Sequence, residues 1–270
     1  MNLKSGTPAW AMSPASRLVV ETDTFTLEDD SKTNIIAPKG TAPEGAIQSD
    51  KHLIVLHGWN STSQAMTSWG EALQAAGAAD GRYLWNLTYP TDKQFPIGAA
   101  ELLQYFTARH AEGHQFNDVR FLCYSMGGVV ARQMIAQGFP VTKLATVCTP
   151  HLGIMGTTAW FSWNLGSISL KQDSSELSQL NGDSHESSLR NRYLCTSLQY
   201  AVQTPLGDMF HDDDQVVDGW SARAEGLNNV VNRFQVRLNY PLPGPMIGAP
   251  HEPEGRNPKW FGRVIDWLKA

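Results

Sequence analysis

The chain has 270 residues, 41% hydrophobic and only 17% charged, with a formal net charge of −5. That length and apolar fraction suffice for one sizeable core, so a single domain over residues 1–270 is expected. The acidic balance and the lack of a basic stripe argue against nucleic acid as a partner, and no apolar run approaches the roughly 18 residues of a transmembrane span.

The first residues, MNLKSGTPAW, carry a lysine with no apolar stretch behind it. No secretory signal is visible, which makes a cytoplasmic location the expectation unless a signal has been trimmed. RLVVETDTFTL, 17–27, partly alternates apolar and polar residues and reads as an early strand; 37–50 has no periodicity and reads as a loop. HLIVL, 52–56, is a short run rich in branched residues, as in strands buried on both faces. The HGWNSTS loop follows, and then Met66, Trp69 and Leu73 recur at helical spacing. RYLWNLTYP, 82–90, predicts a strand ended by Pro90, and Leu102, Leu103 and Phe106 mark a second helix. VRFLCYS, 119–125, is the next strand, GGVVARQMIAQG a third helix stopped at Gly138, and KLATVC, 143–148, a further strand. Strands alternating with helices predict βαβ units: an α/β fold with a mostly parallel central sheet and helices on both faces.

Residues 152–193 break that rhythm with Trp160, Phe161 and Trp163 and then SSELSQLNGDSHESS. They read either as a surface insertion with one or two helices or as a cap whose three aromatics face substrate. The cap is preferred because long excursions in a compact domain usually carry function. Strand patterns return at YLCTSLQYAV, 193–202, and RFQVRLNYPL, 233–242. The closing NPKWFGRVIDWL sets Trp260, Phe261, Val264, Ile265 and Leu268 on one helical face. The cysteines are Cys123, Cys148 and Cys195, an odd count that argues against a disulfide framework. Two of them lie in apolar strand-like runs, where cysteine packs as a small hydrophobe.

Ser125 is a lone hydroxyl between a core strand and a core helix. In a parallel α/β sheet, ligands bind beyond the carboxyl ends of the strands, so a side chain on this junction faces a cleft. CYSMG is the nucleophile-elbow pattern G-x-S-x-G with Cys123 in place of the first glycine. Gly127 and Gly128 permit a tight turn and close approach of the helix. The competing reading is a serine that merely caps the helix N-terminus.

A serine nucleophile needs a base, and the base needs an orienting acid, in the chain order Ser, Asp or Glu, His on such a scaffold. Of eight histidines only His251 lies beyond the acidic cluster HDDDQVVD, on a loop between the last strand and the last helix. Asp212, Asp213, Asp214 and Asp218 compete as the acid, or as hard oxygen ligands for Ca²⁺. Asp214 is preferred because Val216 and Val217 follow it as an apolar anchor. The oxyanion donors expected are the N–H groups of Met126 and Trp59, and His57 is expected to buttress the Trp59 loop rather than act as base.

Taken together, LIVLHGW, CYSMGGVVAR, VCTPHLG (147–153), SSELSQLN, DQVV and the stretch from His251 to the C-terminus resemble the lipase and esterase branch of the α/β-hydrolase superfamily. That branch includes triacylglycerol lipases, carboxylesterases, GPI inositol-deacylase-like enzymes and some thioesterases, and the likeness covers most of residues 52–270. DQVV is similar to the D-G-x-V acid loop of the branch, which supports Asp214. The departures are Cys123 and Gln215, where glycine is usual. The resemblance implies an α/β-hydrolase fold and a carboxylic-ester hydrolase working by two-step acyl transfer. It implies a small-molecule ester or lipid substrate and no metal or organic cofactor. The cap aromatics suggest an apolar acyl group. The alternatives are a thioesterase with the same triad and a catalytically silent scaffold that binds a ligand.

Overall fold

Apolar runs too short for helices become the strands of one sheet. The computed structural model describes residues 50–154, 165–228, 230–241, 244–245, 250–251 and 254–270. The strand expected at 17–27 and the aromatics Trp160, Phe161 and Trp163 lie outside them. Walking the chain, β1 (Lys51–Leu56) is followed by a 3-10 turn (Ser63–Met66), α1 (Thr67–Ala75), β2 (Tyr83–Leu87), α2 (Phe95–Ala111), β3 (Asp118–Tyr124), α3 (Met126–Ala136) and β4 (Lys143–Val147). Three short helices come next, α4 (Leu165–Ile168), α5 (Ser175–Gly182) and α6 (Ser184–Ser188). Then follow β5 (Tyr193–Thr204), β6 (Gly207–His211), α7 (Gly219–Ala222), β7 (Asn232–Pro241) and α8 (Gly262–Lys269).

The strands lie in the order β2-β1-β3-β4-β5, all parallel, with β7 parallel to β5 on its far edge. β4 occupies the near edge of β5 from Tyr193 to Thr196, and β6 returns antiparallel along the same strand from Tyr200 to Thr204. In β1, Leu53 and Val55 pack with α1 and α8, while Ile54 and Leu56 pack with α2 and α3. All four are fully buried. Because both faces of the strand are covered, period-2 alternation is invisible in the sequence although the geometry obeys it. Each such side chain contributes about 1.5–3 kcal/mol on burial.

This arrangement places the cleft. The loop after β1 leads to α1 on one face, whereas the loop after its neighbour β3 leads to α3 on the other. Adjacent strands whose connections leave in opposite directions open a crevice beyond their carboxyl ends. The register sets Leu56 opposite Cys123, so the loops beginning at His57 and Ser125 emerge side by side.

Within residues 165–193, α5 and α6 pack against α3. Leu177 and Leu180 of α5 join the core that contains α3. The guanidinium of Arg132 in α3 donates from Nε to Glu186 Oε1 of α6 at 2.9 Å, and Arg190 donates to Glu186 Oε2 at 3.1 Å. Arg132 and Glu186 are both fully buried.

One sequence expectation needs correction, and one element is absent from the sequence reading. Trp260 does not share the buried face of the last helix: Pro258 opens a separate 3-10 turn (Pro258–Trp260), capped by the Asn257 side chain, and Trp260 ends 37% exposed. The helix begins at Gly262, with Phe261, Val264, Ile265 and Leu268 buried. The element is β6, which the sequence hides: four of its five residues are exposed, so no alternation marks it. Among the described residues, no helix is long and apolar enough to cross a membrane.

Candidate active site

Ser125 sits at φ 51°, ψ −125°, a conformation that a residue with a side chain rarely adopts. Its surroundings enforce it. The Ser125 N–H donates to Val147 O at the end of β4 (2.8 Å), and the Thr149 hydroxyl donates to Ser125 O (2.8 Å). The two glycines are needed for contact. A Cβ on Gly127 would stand 2.6 Å from His57 O and 2.7 Å from Leu56 O, and one on Gly128 would stand 2.2 Å from Thr149 Oγ1. The Ser125 side chain makes no capping bond to α3, which removes the helix-cap reading. Cys123, fully buried, is accommodated at the position where the elbow pattern has glycine.

The hydroxyl points instead to His251. Ser125 Oγ lies 3.1 Å from His251 Nε2, and His251 Nδ1 lies 2.7 Å from Asp214 Oδ2. Ser125, His251 and Asp214 are 7%, 5% and 1% exposed. With the carboxylate accepting from Nδ1–H, Nε2 is the basic nitrogen and accepts from the hydroxyl. The His251 backbone is fixed as well, since its carbonyl accepts from the Tyr124 hydroxyl at 2.8 Å.

The other acidic candidates are engaged elsewhere. Asp212 forms a two-point pair with Arg223, at 2.7 and 2.8 Å, which holds its carboxyl below the usual range. Asp213 Oδ1 accepts from Gln215 N at 2.7 Å, and the backbone of Asp213 bridges to Asp218. Asp214 Oδ1 accepts from the N–H groups of Val216 (3.0 Å) and Val217 (2.7 Å), which leaves Oδ2 to His251. Val217 is the buried anchor of this loop; Val216 is only half-buried. Gln215 has φ 70°, which explains why glycine suits that position.

Met126 opens α3 directly after Ser125, so its N–H has no partner within the helix. Trp59 is half-buried and packs against the core beside α2 and α3. His57 stiffens its loop. Its Nδ1–H donates to Gly58 O (2.8 Å), its Nε2 accepts from Tyr89 N–H (3.3 Å), and the Tyr89 hydroxyl donates to His57 O (2.6 Å). Burial lowers this ring to a pKa of about 4, so it stays neutral.

Cys148 is the neighbour that sequence reading missed. It is fully buried at φ 53°, beyond the end of β4, and its Sγ lies within 4.8 Å of an Asp214 oxygen. Among the described residues, the only cluster of three potential metal ligands is Cys148, Asp214 and His251. The Asp214–His251 contact of 2.7 Å is a hydrogen bond too short to admit an ion, and burial beside the carboxylate keeps the thiol protonated. The arrangement is suited to proton transfer.

Residues 48–202 match the family described as "Putative serine esterase (DUF676)", over half of the chain. A search of curated protein sequences finds no match. Among solved structures, the mature form of the Bacillus licheniformis lipase BlEst2 is similar at 15% identity, with a TM-score of 0.53, over 85% of this chain and 96% of that one. Its propeptide form is similar at 16% identity and a TM-score of 0.50, over 86% of this chain and 53% of the longer one. These likenesses concern the fold, and the family match adds the activity. The chain belongs to the DUF676 serine esterase family and is a carboxylic-ester hydrolase with the α/β-hydrolase fold.

Proposed function

We propose that Ser125 is the nucleophile, His251 the general base and acid, and Asp214 the orienting carboxylate of an acyl-enzyme mechanism. The observation that carries this reading is the unbroken contact chain from Ser125 Oγ through the His251 ring to Asp214 Oδ2, at 3.1 and 2.7 Å. In the first step Oγ bonds to the ester carbonyl carbon while its proton moves to His251 Nε2. The oxyanion is held by the N–H groups of Met126 and Trp59, each such donor being worth about 2.7–4 kcal/mol in the transition state. The tetrahedral species then expels the alcohol, which takes the proton from Nε2. Water repeats the sequence on the acyl-enzyme: His251 removes one water proton, the acyl–Oγ bond breaks, and the carboxylic acid and free serine result.

The substrate proposed is a small ester or lipid with an apolar acyl group. A lipase among the similar folds supports that class. The test is labelling with a fluorophosphonate. Stoichiometric labelling of the wild type, abolished in Ser125→Ala, is expected, together with hydrolysis rates on p-nitrophenyl esters that rise with acyl length. A folded wild type that takes no label would sink the assignment, and equal rates across the ester series would remove the apolar acyl site.

A further inference from the structure

The carboxylate of Asp214 is 1% exposed. An ionised carboxylate offers about four lone-pair sites, and each one left empty in the interior is costly. Three are filled by Val216 N–H, Val217 N–H and His251 Nδ1–H. The Sγ of Cys148, an Asp214 oxygen and a His251 nitrogen all lie within 4.8 Å of one another. We propose that the Cys148 thiol is a positioning residue for ester hydrolysis, its S–H supplying the fourth donor to Asp214 and holding that carboxylate on His251.

The fold delivers the thiol to this spot. β4 pairs with β5 as far as Thr196, and β6 takes over at Tyr200. Cys148 fills the gap: its N–H donates to Thr196 O at 2.9 Å. That backbone bond holds the residue where its Sγ stands within 4.8 Å of the Asp214 carboxylate. Burial and the adjacent charge push the thiol well above the ordinary cysteine range, so it remains a donor at any assay pH. Loss of this donor concentrates negative charge on the oxygen that faces His251. The imidazolium is then favoured, and the acid limb of the rate profile moves to higher pH.

The inference rests on the reading of Ser125, His251 and Asp214 as the catalytic group. The experiment compares wild type, Cys148→Ala, Cys148→Ser and Cys148→Gly by fluorophosphonate labelling and by kcat and kcat/KM on a p-nitrophenyl ester across pH. In Cys148→Ala, kcat is expected to fall about 10-fold with KM little changed, and the acid limb to rise by about 0.5 pH unit. Cys148→Ser keeps a donor and should retain most of the rate and the wild-type limb. Alanine and serine both carry a Cβ at φ 53°, so backbone strain cancels between them. Cys148→Gly relieves that strain and should fold while showing the alanine limb. A packing role gives the reverse order, alanine at least as active as serine and no shift of the limb, and overturns the inference alone. A wild type that fails to label takes the catalytic reading and this inference down together.

Discussion

Four neighbouring carboxylates differ sharply in what their oxygens touch, and that difference sets what each substitution does. Asp214→Asn would present an amide to His251 Nδ1 and favour the wrong ring tautomer, with kcat falling by about 10³–10⁴-fold. Asp213→Asn keeps an oxygen for the Gln215 N–H and makes no contact with the ring, so activity should stay within about two-fold. Steady-state kinetics on one ester decide this, and the opposite ranking would move the acid by one position. Placement of Ser125, Asp214 and His251 in one contact chain was legible because chain order and the small residues after Ser125 narrow the choice before any coordinates exist. The tilt from Asp213 to Asp214 was legible in the apolar pair Val216 and Val217, of which only Val217 is buried and anchors the loop. Cys148 was not legible. A cysteine ending an apolar strand reads as core, and nothing local shows that the backbone turns to φ 53° there and aims sulfur at a distant loop.

At the level of elements, the elbow depends on how closely α3 approaches β1. Gly127 faces two backbone carbonyls, Leu56 O and His57 O, which are fixed by the sheet and cannot rotate away as a side chain would. Gly127→Ala should therefore destabilise the fold by about 1–3 kcal/mol and lower kcat/KM at least 100-fold, because relief requires α3 to retreat and carry the Met126 N–H with it. Denaturant midpoints and ester kinetics measure the two effects, and a variant with wild-type values for both would show that the approach is looser than these contacts. The same physics explains which elements the sequence displays. HLIVL and VRFLCYS are buried on both faces and announce themselves as apolar runs, whereas β6 is a hairpin arm outside the core and carries no pattern. The split of the last helix at Pro258 is also local chemistry, a 3-10 turn that the apolar spacing alone overrides. The buried pair of Arg132 and Glu186 joins α3 to α6 through residues that a sequence reading sorts as surface charges, since nothing in the sequence tells a paired buried arginine from a solvated one.

Across the whole molecule, neutral histidines are built into both rims of the sheet, and this governs its response to acid. His52, at the amino end of β1, accepts from Trp85 Nε1–H at 2.9 Å and donates to Gln115 O at 2.9 Å, with Phe116 and Tyr83 against its ring. Desolvation lowers it to a pKa of about 4, as it does His57 at the opposite rim. His151, fully buried beside Arg132, is lowered as well. Each ring is neutral when folded, while the unfolded chain binds its proton below about pH 6.5, so the unfolded state gains protons first as pH falls. Stability is therefore complete above that pH and is lost on the way down to 4. For His52 and for His57 the loss between pH 7 and pH 5 is about 2 kcal/mol each. His52→Gln tests the account away from the active site, because a glutamine oxygen can accept from Trp85 and its amide can donate to Gln115 without titrating. Urea midpoints of wild type and variant at the two pH values should show the variant losing about 2 kcal/mol less than the wild type. Parallel losses in the two proteins would mean that His52 takes up its proton as readily in the fold as in the unfolded chain, and the neutral aromatic rim would have to be abandoned as the source of acid sensitivity.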